Sequence, residues 1–561
     1  MKRWTAFLLF FSTFSAFAQS TFIPVNEDYY HWVDRYEIKS GRVMPQLFTG
    51  IRPWRRADVI DLIDSLHQSG LFQSAADQFN YEYLNNDSWE WSETETSDSN
   101  KPILKHFYKK KSDLFHVQEK WFDLHVNPVL HLGGGKDSDL DDPVYINTRG
   151  VEVRGMVDRK VGFYTYLADN QTLLPSYASE FRDSLAIPHE GFWKGFKDTR
   201  GVDFLHARGY ITFQATRHIN VQFGHDKFFI GNGYRSLLYS DFAPPVWFLR
   251  TNVKVWKINY LFQVNQMIAD VRGNVTGLTA MDQGYPLKYN ALHHLSINIG
   301  KKLTLGVFES VIFSPDDPDG TDHFRLDYLN PIIFYRAIEQ QNGSSDNVLL
   351  GLDFKLNAIR KLSLYGQFVL DEFVLSHIRA QDGWWGNKFG VQLGGKYVDA
   401  FGVPNLDLQG EINIVRPYTY SHGSEYGDYT NYRQPIGHPL GANFQELVGI
   451  LRYQPFGRLN ITGKLNLIKR GVDAAGENWG GNIRLVNTFQ RQQFGNTIAQ
   501  GNTTNILFGS FTASWMFKHN LFVDGTLVVR KSESPLAAYN NNTSVGSLAV
   551  RWNIPQRLYE F

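Results

Sequence analysis

The 561-residue chain contains no cysteine. Disulfide staples, thiolate metal sites and a cysteine nucleophile are therefore excluded. There is no surplus of either charge, with 56 Lys+Arg against 56 Asp+Glu, and a nucleic-acid partner normally requires a basic excess. Beyond the first residues there is no apolar run of about 20 residues, which excludes a helical membrane protein. Neither H-E-x-x-H nor G-x-S-x-G occurs, and no two carboxylates stand out as an acid/base pair, so no enzyme and no cofactor is read. Aromatic residues, by contrast, are plentiful at 15 %, and they gather near the ends of alternating segments.

Residues 1–18 read as a secretory signal peptide. Lys2 and Arg3 supply the charge, Trp4 to Phe14 the short apolar stretch, and Ala16-Phe17-Ala18 the cleavage site. Residues 19–120 form a small helical region and linker. Val59, Leu62, Ile63 and Leu66 lie on one helical stripe that stops at Gly70, and Phe72, Ala76, Phe79 and Tyr83 continue a second. Residues 88–104 are polar and read as a linker.

From Trp121 the period changes to two. Ala207, Gly209, Ile211 and Phe213 alternate with Arg208, Tyr210, Thr212 and Gln214, and the same alternation recurs from Leu406, Leu459 and Leu521. Short turns near 158–160, 216–218, 257, 300–302, 357–361, 398–404, 454–458 and 517–520 alternate with long segments near 133–143, 170–205, 228–246, 268–292, 312–346, 373–387, 415–443, 469–503 and 531–543. A soluble sandwich has no reason to keep one set of turns short. A transmembrane barrel does. The expected fold is all-β, a transmembrane antiparallel β-barrel over 121–561 with about eighteen strands, preceded by a periplasmic helical region. Phe561, last on an alternating tail, suits the terminal signal of such barrels.

One stretch is more specific. Gly224-His225-Asp226-Lys227-Phe228-Phe229-Ile230-Gly231-Asn232-Gly233-Tyr234 runs into Arg235-Ser236-Leu237-Leu238-Tyr239-Ser240-Asp241, then Ala243-Pro244-Pro245 and Phe248-Leu249-Arg250. With Arg52-Pro53 and His438-Pro439-Leu440-Gly441-Ala442, this resembles the Wzi-type capsule-assembly family of outer-membrane proteins. The resemblance implies an eighteen-stranded barrel whose outer face holds capsular polysaccharide at the cell surface of a Gram-negative bacterium. The long loops and acidic insertions look more like relatives from Bacteroidetes that glide or use type IX secretion, so a structural role in surface motility is a second expectation. A porin or uptake channel is a third.

Candidate site residues follow. Gly231 and Gly233 allow the loop after residue 227 to fold back into the barrel mouth, lined by Lys227, Tyr234, Arg235, Asp241 and Arg250. Two readings stay open: a structural plug with internal ion pairs, or a rim that binds sugars or an anionic polymer, since arginine suits bidentate carboxylate recognition. Trp384 and Trp385 sit at a loop tip and read as a carbohydrate contact or a buried anchor. The 312–346 segment is too apolar to float freely and is expected inside the lumen or against another loop. Asp123, Glu152, Arg154, Arg208, Asp407, Glu411 and Lys464 are expected to face the lumen. Acidic clusters at 137–142 and 316–322 lack the EF-hand pattern, and His293-His294 reads as structural, so no metal is assigned. The expected partners are surface polysaccharide, outer-membrane lipids and other envelope proteins.

Overall fold

The computed structural model describes residues 19–560 apart from 94, 180–185, 188–189, 197–200, 270–284, 318–323, 333 and 345. The signal-peptide expectation and Phe561 fall outside the described residues. Eighteen strands close into one antiparallel barrel. They are β1 Phe122–Asp137, β2 Val144–Val157, β3 Val161–Leu173, β4 Gly201–Thr216, β5 Ile219–Asp226 and β6 Val246–Val255. Next come β7 Ile258–Ile268, β8 Leu287–Ile299, β9 Leu303–Phe313, β10 Asn347–Ile359, β11 Leu362–Glu372 and β12 Lys388–Tyr397. The last six are β13 Leu406–Val415, β14 Phe444–Phe456, β15 Leu459–Val472, β16 Asn502–Lys518, β17 Leu521–Glu533 and β18 Asn541–Trp552. The seam pairs Trp552 with Leu130 and Val545 with Asp137. Beside it Phe115–Gln118 pairs with the start of β1, so the chain joins the sheet before Trp121.

The expected strand count and the alternation of short turns with long loops both hold. Along β4 the outward Leu205, Ile211 and Phe213 are exposed, whereas Phe204, His206, Arg208 and Tyr210 point inward and are buried. Leu249, Val307, Leu393, Leu451, Phe511 and Leu527 continue the exposed apolar belt around the wall. Such a belt is stable against lipid rather than water. Among the described residues no helix is long and apolar enough to cross a membrane.

Three helices close the short-turn end: α1 Tyr29–Ser40, α2 Arg56–Gln68 and α3 Ala75–Asp87. The Val59, Leu62, Ile63, Leu66 stripe is the buried face of α2, and Gly70 has φ 74°. The second stripe starts later than its pattern suggests. Ser74 caps α3 through a reciprocal capping box with Asp77, leaving Phe72 outside the helix. Backbone bonds tie this region to the turns: Val43 N–H donates to Lys301 O at 2.9 Å, Gln19 N–H to Arg159 O at 2.9 Å, and the turn's Lys361 N–H to Ile38 O at 3.2 Å.

Two expectations are corrected. The alternating tail does not prolong the last strand: β18 ends at Trp552, and residues 554–560 turn into the lumen, where Glu560 is buried. The described part of the 312–346 loop packs outside rather than in the lumen, and at Asp317 it meets the 416–443 loop through Ser424, as the other expected arrangement had it. Its Tyr328, Tyr335 and Ile338 pack on Ala291, Val311 and Phe313, which belong to the outward rows of β8 and β9. The loop is apolar because it lies on the outer wall.

Candidate functional site

The interior is filled from both ends. From the short-turn end, Ile51–Arg52 forms a two-residue antiparallel pairing with Phe229–Ile230 of the β5–β6 loop. β5 and β6 are short, pairing no further than Asp226 with Val246, so the 227–245 loop leaves the wall low down and runs inward. Above it lies the 416–443 loop: Tyr420 OH donates to Leu237 O at 2.6 Å, Tyr429 OH to Leu238 O at 2.9 Å, and Ser240 N–H to Ile436 O at 2.8 Å. Gly231 has φ 149°, and a Cβ on Gly233 would stand 2.6 Å from both Gln392 Oε1 and Glu411 Oε2. Only glycine allows this approach of the loop to the wall.

That approach sets up a buried network. Glu411 accepts from Tyr234 N–H at 2.6 Å and Arg235 N–H at 3.0 Å. The Arg235 guanidinium donates to Glu446 Oε1 at 3.0 Å and to the Glu560 carbonyl at 2.7 Å. Lys464 Nζ donates to Glu560 Oε1 at 2.5 Å and to Tyr234 OH at 3.0 Å, and the Tyr234 hydroxyl also donates to Glu560. His438 Nε2 lies 2.8 Å from Glu446 Oε2. These charges offset one another, as buried charges must. Asp123, Glu152, Arg154, Arg208, Asp407, Glu411 and Lys464 all face inward as expected.

Beside the network lies a cavity of about 300 Å³. Its wall carries the cations Arg52, Arg208, Lys227, Arg235, Lys396, Arg452, Lys464 and Arg557 against the carboxylates Glu27, Asp28, Asp34, Glu190, Asp241 and Glu560, so the basic side is in excess. Most cations have carboxylate partners. Lys396 meets Asp34 at 2.5 Å and Arg557 meets Glu190 at 3.6 Å. Two do not. Among the described residues neither Arg52 nor Arg452 makes an ion-pair contact, although Asp34 and Asp241 act on Arg52, and Asp407 and Asp28 on Arg452, from farther away. Arg52 lies over the rings of Phe229 at 4.7 Å and Tyr30 at 5.0 Å, and Arg452 donates to Gln409 Oε1 at 3.1 Å. Burial pushes the Glu27 carboxyl up to about 8, with Glu152 and Asp28 adding to the effect. Burial also pulls the Lys227 ammonium down to about 8 and raises the Asp241 carboxyl.

The structure brings together four of the seven sequence-selected residues: Lys227, Tyr234, Arg235 and Asp241 all line this cavity. Arg250 is buried behind it, over the Phe228 ring at 5.1 Å and donating to Arg52 O at 3.4 Å. Trp384 and Trp385 stand apart in the outer loops. Trp384 stacks on His377 at 4.8 Å and Trp385 meets Tyr418 edge-on at 5.9 Å, and both are half-buried. Sequence reasoning missed Arg452, Arg557 and the tail. Arg452 sits on an alternating strand whose inward row was legible, but nothing in sequence marks it as lacking a carboxylate partner.

The acidic loops are engaged internally. Asp137 accepts from Asp139 N–H at 2.9 Å and Ser176 N–H at 2.8 Å, and Asp317 from Ser424 Oγ at 2.7 Å. Asp319, Gly320 and Asp322 lie outside the described residues. Among those described, no group of three or more His or acidic residues is placed to hold a metal. His293 and His294 lie in the middle of β8. His294 faces inward, 2.6 Å from Asp353, and His293 faces outward.

No protein-family model matches the chain, and no curated protein matches it significantly. Solved structures do. Wzi of Escherichia coli is described as an outer-membrane protein involved in group 1 capsule assembly and a carbohydrate-binding β-barrel. It aligns over 95 % of this chain and 99 % of its own, at 13 % identity and a TM-score of 0.55. OprD of Pseudomonas aeruginosa aligns over 76 % of this chain and 94 % of its own, at 10 % identity and a TM-score of 0.40. OpdK of the same organism, solved with vanillate, covers 76 % and 98 % at 9 % identity and a TM-score of 0.43. At these identities the likeness to Wzi is one of fold: this chain, too, is a closed antiparallel β-barrel of eighteen strands.

Proposed function

We propose that the protein is a non-enzymatic outer-membrane barrel that holds an acidic surface polysaccharide on a Gram-negative cell. It is exported by the signal peptide, with the helices and short turns in the periplasm and the long loops outside. The observation that carries this reading is the cavity, with its basic excess and two arginines, Arg52 and Arg452, that make no ion-pair contact with a carboxylate. Guanidinium groups recognise carboxylates bidentately. At about 300 Å³ the cavity is at the small end of ligand sites, so it takes a chain end or one charged unit rather than a running polymer. The named property of Wzi, carbohydrate binding, points the same way.

The test is binding of acidic and neutral oligosaccharides to purified barrel and to its Arg452→Gln variant. The expected result is preference for the acidic ligand and a loss of at least about tenfold in the variant, as for one charge-assisted hydrogen-bonded contact. Equal binding by both proteins would remove the cavity from the reading.

A second reading, a structural component of a motility or type IX secretion assembly, is favoured by Phe489 and Phe494 standing exposed on the 473–501 loop. A pull-down from native membranes that captures a defined protein partner, lost in Phe489→Ser, supports it. The filled interior weighs against a diffusion channel.

A further inference from the structure

The outward rows of β8 and β9 contain a polarity fault. On β8 the row reads Tyr289, Ala291, His293, Leu295, Ile297 and Ile299. On β9 it reads Leu303, Leu305, Val307, Glu309, Val311 and Phe313. Ten of these twelve positions are apolar or aromatic. The exceptions, His293 and Glu309, are register partners. One step along the same face, Leu295 and Val307 are exposed as part of the lipid-facing belt. An ionisable pair at this level of a barrel's outer surface is costly unless something covers it.

The 324–342 segment covers it. Glu309 is only 4 % exposed, and its carboxylate accepts from Tyr335 N–H and Arg336 N–H, each at 2.7 Å, at the start of the helix Tyr335–Asn342. The Tyr335 ring lies 4.1 Å from His293. Further along the wall, Tyr260 of β7 donates its hydroxyl to Pro331 O, close to the short turn that begins at Trp256. The segment therefore reaches well down the outside of the barrel. Among the described residues its opposite side carries three strongly exposed apolar side chains, Leu326 72 %, Ile332 87 % and Phe334 76 % exposed, with the exposed polar Asp327, Asn330, Gln340 and Gln341 around them.

We propose that this segment is a membrane-seated flap whose Leu326, Ile332 and Phe334 contact lipid acyl chains. The commitment to lipid rests on continuity. The covered residues belong to the rows that carry the lipid-facing belt, so the flap replaces strand surface at that level and must present an apolar face of its own. Its charged groups suit the edge of such an element. Arg336 pairs with Glu339 at 2.5 Å and is mostly exposed, as expected where an amphipathic segment meets headgroups. The two polar residues beneath explain why the flap stays down: lifting it would put Glu309 and His293 into lipid.

The absence of native cysteine makes the test direct. Ile332→Cys and Phe334→Cys are each labelled with a nitroxide in the full barrel reconstituted in lipid bilayers. Accessibility to oxygen and to a water-soluble nickel chelate is then measured by power saturation. Val307→Cys serves as the belt reference and Phe489→Cys as the long-loop reference. Both flap positions are solvent-side in the fold, so the substitutions leave packing intact, and barrel closure is checked by heat-modifiable migration. The expected result is an oxygen-to-chelate ratio several-fold above that of the loop reference and close to that of the belt. Labels at both positions that meet the chelate as freely as Phe489→Cys would overturn the proposal and place the flap in water.

Discussion

Replacing Arg35 with alanine should loosen the helical cap from the barrel, and the size of the effect can be worked out contact by contact. Arg35 lies on α1 with its side chain 2 % exposed. It binds Asp399 and Asp407 of the barrel through short charge-assisted hydrogen bonds, Asn405 Oδ1 at 2.6 Å, and Asp77 of α3 at 3.4 Å. Removing one partner of a buried ion pair costs about 3–5 kcal/mol, because the other charge is left uncompensated. Here the carboxylates keep some company: Asp77 retains Lys39 at 2.7 Å, Asp399 retains Lys39 at 3.4 Å, and Asp407 retains His31 at 3.0 Å. The lower end, about 3 kcal/mol, is therefore expected, which is roughly a hundredfold increase in the open population of the cap. Hydrogen exchange of the amides of Tyr29–Ser40 reads that population directly. Exchange should quicken by about two orders of magnitude in α1 while strands β14 to β17 are unchanged. Unaltered protection of α1 would refute the claim that this cluster holds the cap to the wall.

In planar bilayers the intact protein should show little or no steady conductance, because the cap, the 227–245 loop, the 416–443 loop and the C-terminal tail fill the interior; a large stable conductance would refute that packing. Gly233→Ala places a methyl group 2.6 Å from Glu411 Oε2, and overpacking of this kind costs about 1–3 kcal/mol, so its thermal midpoint should fall while that of Gly463→Ala, where a Cβ meets nothing within 4 Å, does not. Acidic-ligand binding should weaken as pH rises from 7 to 9. With folded-state values of about 8, Glu27 is mainly neutral at pH 7 and acquires its negative charge above 8, and Lys227 loses its positive charge over the same range, so both changes make the cavity less attractive to an anion. Titration of binding to purified barrel checks this, and an affinity flat or rising across that window would exclude the cavity as the anion site.

The barrel was legible because its rule is local. Whether Phe213 faces lipid and Thr212 the lumen depends on their positions in one alternating strand, and the sixteen strands joined by short turns could be read from turn chemistry. α1 was invisible for the opposite reason. Tyr29, Trp32, Val33 and Tyr36 are buried, but so are Asp34, Arg35, Glu37 and Lys39, because barrel residues supply partners for the charges. A helix buried all round has no polar face and so no amphipathic stripe to read. The 312–346 loop shows the same limit on a larger scale. Its apolar content correctly implied that it must pack on something, but composition cannot distinguish the inside of a barrel from the outside. The signal that could have decided was in the strands: Glu309 and His293 occupy outward positions that should be apolar and therefore need a cover.

The same reasoning applies to the interior. An inward row of alternating charges is equally compatible with a water-filled lumen and a filled one, since water and protein partners both satisfy polar groups. What separates the two is whether the partners come from elsewhere in the chain. Glu411 accepts from loop residues Tyr234 and Arg235 as well as from wall residues Tyr365, Gln392 and Asn413, Lys464 is met by tail residue Glu560, and Asp407 by cap residue Arg35. These segments are far apart in sequence, and each brings charges that fit a wall it meets only after the barrel has closed. Where that matching stops, at Arg52 and Arg452, the interior has a cavity instead of a contact. The residues most informative about a ligand are therefore the cations that the fold leaves without a carboxylate in contact, and no local pattern in the sequence marks them.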